Sequence, residues 1–294
     1  MLMFGSHMSS AGGCDLALAR AEELELSSCQ IFTKNERQWH AKPLDPAVVE
    51  RFHAQKERTG IGLIISHDSY LINLASPDDT MWAKSLAAFG DEIDRCATLG
   101  IPSLVTHPGA HLGSGEDAGI ARIAEGINRI FDERPDDPTM VLLETTAGQG
   151  TSLGRTFEEL AGIAARVEDQ SRLGVCLDTC HVFAAGYDLR TLESYRTTIS
   201  QFETIVGLVR LKAIHINDSQ KALSSRVDRH AHIGDGELGL DAFRWLVNDR
   251  RLAGIPAILE TEKSPDGEND RRNLATLRKL VTMEALPSVS EDAV

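Results

Sequence analysis

Short apolar runs recur along this chain, and six of them stop at a histidine or an acidic residue. Ile61–Ile65 ends near His67, Ser103–Thr106 at His107, Met140–Leu143 at Glu144, Gly174–Leu177 at Asp178, Leu211–Ile214 at His215, and Pro256–Leu259 at Glu260. Leu2–Gly5 and Ser28–Phe32 are two further runs of the same kind. Runs this short and this apolar suit strands buried on both faces of a parallel sheet. Segments with helical spacing separate them: Cys14–Leu26, a stretch opened by Pro43 or Pro46 and reaching Arg58, Thr80–Leu99, Asp117–Glu133, Thr156–Val167, Leu192–Val206, Asp241–Asp249 and Asp270–Met283. Eight strand-then-helix units predict an α/β chain whose sheet closes into a (β/α)8 TIM barrel. An open doubly wound sheet is the alternative, and it would gather ligands at one switch point instead of around a ring.

The length fits one such domain. A barrel uses about 250 residues, and the chain has 294. No stretch rich in Pro, Gly or Ser divides it, so residues 1–286 are assigned to a single barrel domain and 287–294 to a short acidic tail. No apolar run is long enough to span a membrane, and no basic start followed by an apolar block marks a signal peptide. Five scattered cysteines favour free thiols in a reducing cytoplasm over a disulfide framework. The net charge of −14 argues against a nucleic-acid partner unless bound cations reverse its sign locally. Total charge therefore leaves the partner open.

In a barrel the carboxyl ends of the strands converge on one face, where active sites are found. Strand ends and the loops after them contribute nine nitrogen and oxygen donors: His67, His107, Glu144, Asp178, His181, His215, Asp228, His230 and Glu260. Asp228 and His230 alternate along the polar segment 217–239, so both side chains can face one ion. Zinc takes three or four protein ligands, so nine donors serve two or three ions when carboxylates are shared. The mixed set suits zinc or manganese. Clustered zincs about 3.5–4 Å apart can activate water and stabilise both oxygens of a phosphoryl displacement. An aspartate after a strand is equally well explained as a helix cap, and only the repetition at six strand ends favours a metal centre. Cys176 and Cys180 flank Asp178 and read as small buried packers. His111, four residues beyond His107, and His232, two beyond His230, are left out of the set. Gly148, Gly150 and Gly154 lack the spacing of a phosphate cradle and read as a loop needing unusual backbone angles.

Seven motifs, in order and spread over nearly the whole chain, resemble the endonuclease IV family of zinc-dependent nucleases that cut DNA at abasic sites. They are FTKNERQW at 32–39, HDSYLINL at 67–74, HPGAHL at 107–112, AGQGTSLG at 147–154, GVCLDTCHVFAAGYDLR at 174–190, SRVDRH at 225–230 and LET at 259–261. The Gly-Ser-His at residues 5–7 resembles the family's Gly-x-His after its first strand, which places His7 near the mouth.

The resemblance implies three Zn2+ per chain, with Mn2+ admissible in some sites. His67, His107 and Glu144 would hold the first ion. Glu144 would bridge to the second, completed by Asp178, His215 and Glu260. His181, Asp228 and His230 would hold the third. Glu144 and Glu260 are thereby catalytic as well as ligating. The implied reaction is hydrolysis of the DNA backbone 5′ to an abasic site, leaving a 3′-OH and a 5′-deoxyribose phosphate, with removal of blocked 3′ ends. The implied partner is double-stranded DNA carrying such lesions, met by a monomer, without a membrane, in the nucleoid-associated cytoplasm of a prokaryote.

Candidate DNA contacts follow from the same resemblance. Lys34, Arg37 and Gln38, beside Trp39, offer cations and flat groups. Tyr70 and Leu71 are placed to wedge into the duplex, although they also read as the start of a packed helix. Arg226 and Arg229 can meet phosphate or orient Asp228. One departure stands out: Thr145 follows Glu144 where the family has asparagine, and its hydroxyl reaches less far. Two other functions compete. A sugar isomerase or epimerase on a similar barrel needs about four ligands around one ion and no Asp228/His230 pair. A non-catalytic protein that binds damaged DNA would lack the bridging ligands.

Overall fold

The computed structural model describes residues 1–282. Strands and helices alternate as β1 (Met3–His7), α1 (Cys14–Glu23), β2 (Ser28–Phe32), α2 (Pro46–Thr59), β3 (Leu63–His67), α3 (Asp79–Leu99), β4 (Ser103–Thr106), α4 (Glu116–Glu133), β5 (Met140–Glu144) and α5 (Phe157–Ala164). They continue as β6 (Leu173–Asp178), α6 (Thr179–Ala185), α7 (Leu192–Ile205), β7 (Leu211–His215), the two-residue strands β8 (Asp218–Ser219) and β9 (His230–Ala231), α8 (Gly239–Val247), β10 (Pro256–Leu259) and α9 (Glu268–Leu280). Eight strands close in the order β1-β10-β7-β6-β5-β4-β3-β2. Because β1 pairs in parallel with both β10 and β2, the sheet has no edge, and the open doubly wound alternative is excluded.

Side chains along each strand alternate between the barrel interior and the surrounding helices. Ile65, Val105, Leu142, Cys176, Ala213 and Ile258 form a small cluster of their own inside the barrel. Their neighbours Ile64, Leu104, Val141, Leu177, Ile214 and Leu259 join the larger core beneath the helices. Two positions beyond each member of the inner layer stand His67, His107, Glu144, Asp178, His215 and Glu260. The inner apolar layer is therefore the floor of a cup, and the polar donors form the next layer up.

Local chemistry sets the helix ends. The Asp78 carboxylate accepts from the Met81 amide at 2.8 Å to open α3, and Gly100 in the left-handed region at φ 61° closes it. Gly60 ends α2 in the same way at φ 69°, so β3 begins at Leu63 instead of Ile61 and reaches His67 itself. The segment after Asp178, expected as loop, is the short helix α6, and the long segment after β7 contains the β8–β9 ribbon. Among the described residues no helix is long and apolar enough to cross a membrane. All five cysteines are buried free thiols, with burial pushing Cys176 and Cys180 up to about 12. The last helix ends at Leu280, where Val281 turns extended at ψ 126°, short of the expected Met283; Met283 itself and the acidic tail expected over 287–294 lie outside the described residues.

Candidate metal centre

Glu144, at the end of β5, is the hub of the cup and is 1% exposed. Its Oε2 lies 3.1 Å from His67 Nε2 and 3.2 Å from His107 Nε2. Its Oε1 lies 3.0 Å from His215 Nδ1 and 3.2 Å from His181 Nδ1. His215 Nδ1 also stands 3.0 Å from Glu260 Oε2 and 3.9 Å from Asp178 Oδ2. Donor atoms of His67, His107 and Glu144 fall within 4.8 Å of one another, as do those of Glu144, Asp178, His215 and Glu260. Asp178, His181 and His230 make a third such group, and Cys180, Asp228 and His230 a fourth. Asp228 joins the last two, with Oδ2 3.2 Å from His181 Nε2 and Oδ1 3.3 Å from His230 Nε2. All nine donors expected from the sequence therefore meet in one cup.

The hydrogen bonds behind the imidazoles favour ligand duty. His67 Nδ1 faces the Asp68 carbonyl at 2.9 Å, His181 Nδ1 the Thr145 carbonyl at 2.8 Å, and His215 Nε2 the Gln30 side-chain oxygen at 2.8 Å. A carbonyl oxygen can only accept, so each of these ring nitrogens carries the proton and leaves the other nitrogen as a lone pair toward the carboxylates. Nε2 of His181 and of His230 are buried with no hydrogen bond of acceptable angle. Fixed tautomers with free lone pairs, and two orphaned buried nitrogens, fit a divalent cation.

The charges agree. Burial opposes ionisation of Glu144, but the His215 and His107 imidazoles hold its carboxyl well below the usual range. Burial also opposes a proton on His215 and on His181; Cys176, Glu260 and Glu144 raise the first well above its ordinary value, and Asp178 and Asp228 raise the second. Four acids in one pit thus demand positive charge. Cations meet the same demand while leaving the imidazoles neutral, as ligation requires.

Several supporting residues escaped the sequence reading. Asn217 donates from Nδ2 to Asp178 Oδ2 at 2.8 Å and accepts the Glu260 amide at 2.8 Å. Gln30, fully buried, accepts from His215 and donates to Glu260 Oε1 at 2.6 Å. It also lies 3.0 Å from His7 Nδ1, so His7 stands behind the donors. Gln30 sits two positions past Ser28 on an inward-facing register, a signal that was there to be read. Asp178 serves as cap and donor together: Oδ1 accepts the His181 amide at 2.9 Å while Oδ2 faces the cup. Thr145 reaches the Asp178 amide with its hydroxyl at 2.8 Å, so the short side chain keeps a supporting contact. His111 accepts from the Gly113 and Gly115 amides and His232 pairs with Asn273, both outside the donor set. Gly148, Gly150 and Gly154 all have positive φ, as a special loop requires.

The candidate DNA contacts divide. Arg37 is 84% exposed along its side chain, Gln38 is exposed, and Tyr70 is 55% exposed. Tyr70 and half-buried Leu71 occupy a turn, not the start of a helix. They line a cleft of about 330 Å³ with His107, Gly148, His181 and Asp228. Arg226 and Arg229 are exposed beside the third donor group, and Arg229 donates to the Asp228 carbonyl at 2.6 Å, not to its carboxylate. Lys34 differs: its ammonium is buried, 2.8 Å from Asp91 and 3.4 Å from Glu92. Its charge is committed inside the protein, and the expected phosphate contact does not fit that placement.

Residues 18–280 match the family described as xylose isomerase-like TIM barrel. A probable endonuclease 4 of Chloroflexus aurantiacus is 57% identical over 96% of this chain and 99% of its own length. One from Geobacter sulfurreducens is 52% identical over 94% of each chain. The crystal structure of endonuclease IV from Thermus thermophilus superposes with a TM-score of 0.84 at 37% identity, covering 95% of this chain and 98% of that one. A D-tagatose 3-epimerase-like protein, with a TM-score of 0.72 at 17% identity, shares the fold.

Proposed function

The chain belongs to the endonuclease IV family, and on that premise we propose that it is a zinc-dependent DNA-repair phosphodiesterase acting 5′ to abasic sites. The observation that supports this most is Glu144, one carboxylate faced on each oxygen by histidines of a different donor group. His67, His107 and Glu144 would hold one ion, Glu144, Asp178, His215 and Glu260 a second, and His181, Asp228 and His230 a third. Bound there, zinc, or manganese in some sites, supplies Lewis-acid charge and an acidified water for phosphodiester hydrolysis.

The chain's own residues prepare the rest. Gln30, Asn217 and the Thr145 and Asp68 carbonyls hold the ligands in one tautomer and one orientation. The cleft beside His107 and His181 has the size of a small-molecule pocket and suits an extruded sugar phosphate. Tyr70 and Leu71 at its rim would occupy the gap left in the duplex, with Arg37, Gln38, Arg226 and Arg229 on phosphates. The products would be a 3′-OH and a 5′-deoxyribose phosphate, and blocked 3′ ends would present the same phosphodiester to the same cup. The reading assigns residues 1–286 to the barrel domain and 287–294 to a tail, and makes the protein a monomer in the cytoplasm beside nucleoid DNA. An epimerase, served by about four ligands on one ion, leaves His181, Asp228 and His230 without purpose.

The test is end-labelled duplex carrying one abasic site. Zinc-loaded protein should make one nick 5′ to the lesion, a strong chelator should stop it, and added zinc should restore it. Abasic duplex left intact by zinc-loaded protein would overturn the proposal.

A further inference from the structure

The buried ammonium of Lys34 begins the loop 33–42, which carries Arg37, Gln38 and Trp39 past the mouth. One stripe of α3 grips that loop along its length. Glu92 accepts from the Thr33 hydroxyl at 2.8 Å and pairs with Lys34, while Lys34 also reaches Asp91 and the Ala88 carbonyl. Arg95 spans the two ends of the loop, donating to the Thr33 hydroxyl at 3.2 Å and to the Lys42 carbonyl at 3.1 Å. Lys84 lies over the Trp39 ring at 4.3 Å. Residues 84, 88, 91, 92 and 95 recur at helical spacing, so all five project from one face of α3. The same helix accepts the Asn73 amide on Ser85, and Ser69 donates to the Glu36 carbonyl at 2.7 Å. Loop 33–42 and the turn bearing Tyr70 and Leu71 are therefore tied to one rigid element and to each other.

We propose that α3 is the mould of a preformed DNA-contacting loop, and that Lys34 and Glu92 are its positioning residues, touching no DNA themselves. This rests on the function proposed above and adds to it. A buried charge pair is costly to break because the remaining partner is stranded, which makes the pair an effective lock on shape. A loop already shaped before binding loses less freedom on meeting the duplex, so the benefit falls on affinity more than on the chemical step.

Lys34→Met, the double variant Lys34→Met/Glu92→Met and Arg37→Ala would be compared with the wild type for cleavage and for salt-dependent binding of abasic duplex. Lys34→Met should raise KM about tenfold with a smaller effect on kcat. It should leave the slope of log affinity against log salt unchanged. Adding Glu92→Met should recover part of the KM loss, since the stranded carboxylate is gone although the Thr33 hydroxyl loses its acceptor. Arg37→Ala, a phosphate contact, should flatten the salt slope by about 0.9. A flattened slope for Lys34→Met, or a KM defect that the second substitution leaves untouched, would overturn the mould. A wild type that neither binds nor cuts abasic duplex would instead overturn the functional reading. Amide exchange in DNA-free protein still decides the mould in that case: it should be faster across residues 34–42 in Lys34→Met than in the double variant, and equal rates would refute it.

Discussion

Glu144 shows how much one side chain can be asked to do. It is buried, it belongs to two donor groups at once, and four imidazoles stand within 3.2 Å of its oxygens. Glu144→Gln keeps the shape and removes the charge. Nicking should fall by more than the roughly 10–100-fold that loss of an outer partner costs. Elemental analysis should find fewer bound ions, and the circular dichroism spectrum should match the wild type. Asp249 offers a test away from the cup. Burial opposes its charge, but Arg251 and the Tyr195 hydroxyl hold its carboxyl below the usual range. An unfolded aspartate titrates at about 3.9. The contribution of Asp249 to stability is therefore full above that pH and is lost as pH falls through the lower folded value. Melting temperatures of wild type and Asp249→Asn should differ at pH 6 and converge as the pH drops toward the folded value. At this scale the donors were legible because a strand side chain two positions beyond a buried apolar one shares its face. Lys34 was misread because a cation in a polar motif looks the same whether its partner is phosphate or a buried glutamate.

Elements aim these side chains. The excursion between β7 and α8 brings Asp228 and His230 to the cup, and Asp218 holds its ends together. The Asp218 carboxylate accepts amides from Ser219, Gly234, Gly236 and Leu238 at 2.7–3.1 Å. Asp218→Ala strands those donors and should cost at least about 2 kcal/mol in urea unfolding. Exchange across residues 228–238 should quicken, and the protein should lose bound cation from the His181, Asp228 and His230 group while keeping the others. Unchanged exchange and unchanged metal content would refute this role. The ribbon that begins with Asp218 was invisible in the sequence because its strands are two residues long and carry no alternation to detect. Helix α6 was missed for a different reason. Its first six residues are all buried, so it has no polar face and no 3.6-residue rhythm.

The whole molecule separates stability from chemistry. The apolar floor and the core beneath the helices hold the barrel together without the cup. Chelation should therefore leave the far-ultraviolet spectrum intact, abolish nicking, and lower the melting temperature by roughly 5–10 °C as the acids lose their cations. Global unfolding on chelation would contradict this division. The net charge of −14 did not predict a partner, since four acids lie in a cup that would hold cations and the exposed arginines Arg37, Arg226 and Arg229 stand around its mouth.

Sequence alone determined the alternation of strand and helix, the eightfold count, and the six polar side chains two positions beyond the inner apolar layer. Each follows from spacings of two to four residues, which local sterics impose on any chain. Only the tertiary structure decided that Asp228 joins two donor groups, that Gln30 backs His215 from 185 positions away, and that Lys34 turns inward to α3. Those outcomes depend on how closure of the sheet and packing of the helices set distant residues face to face, and no short-range pattern carries that distance.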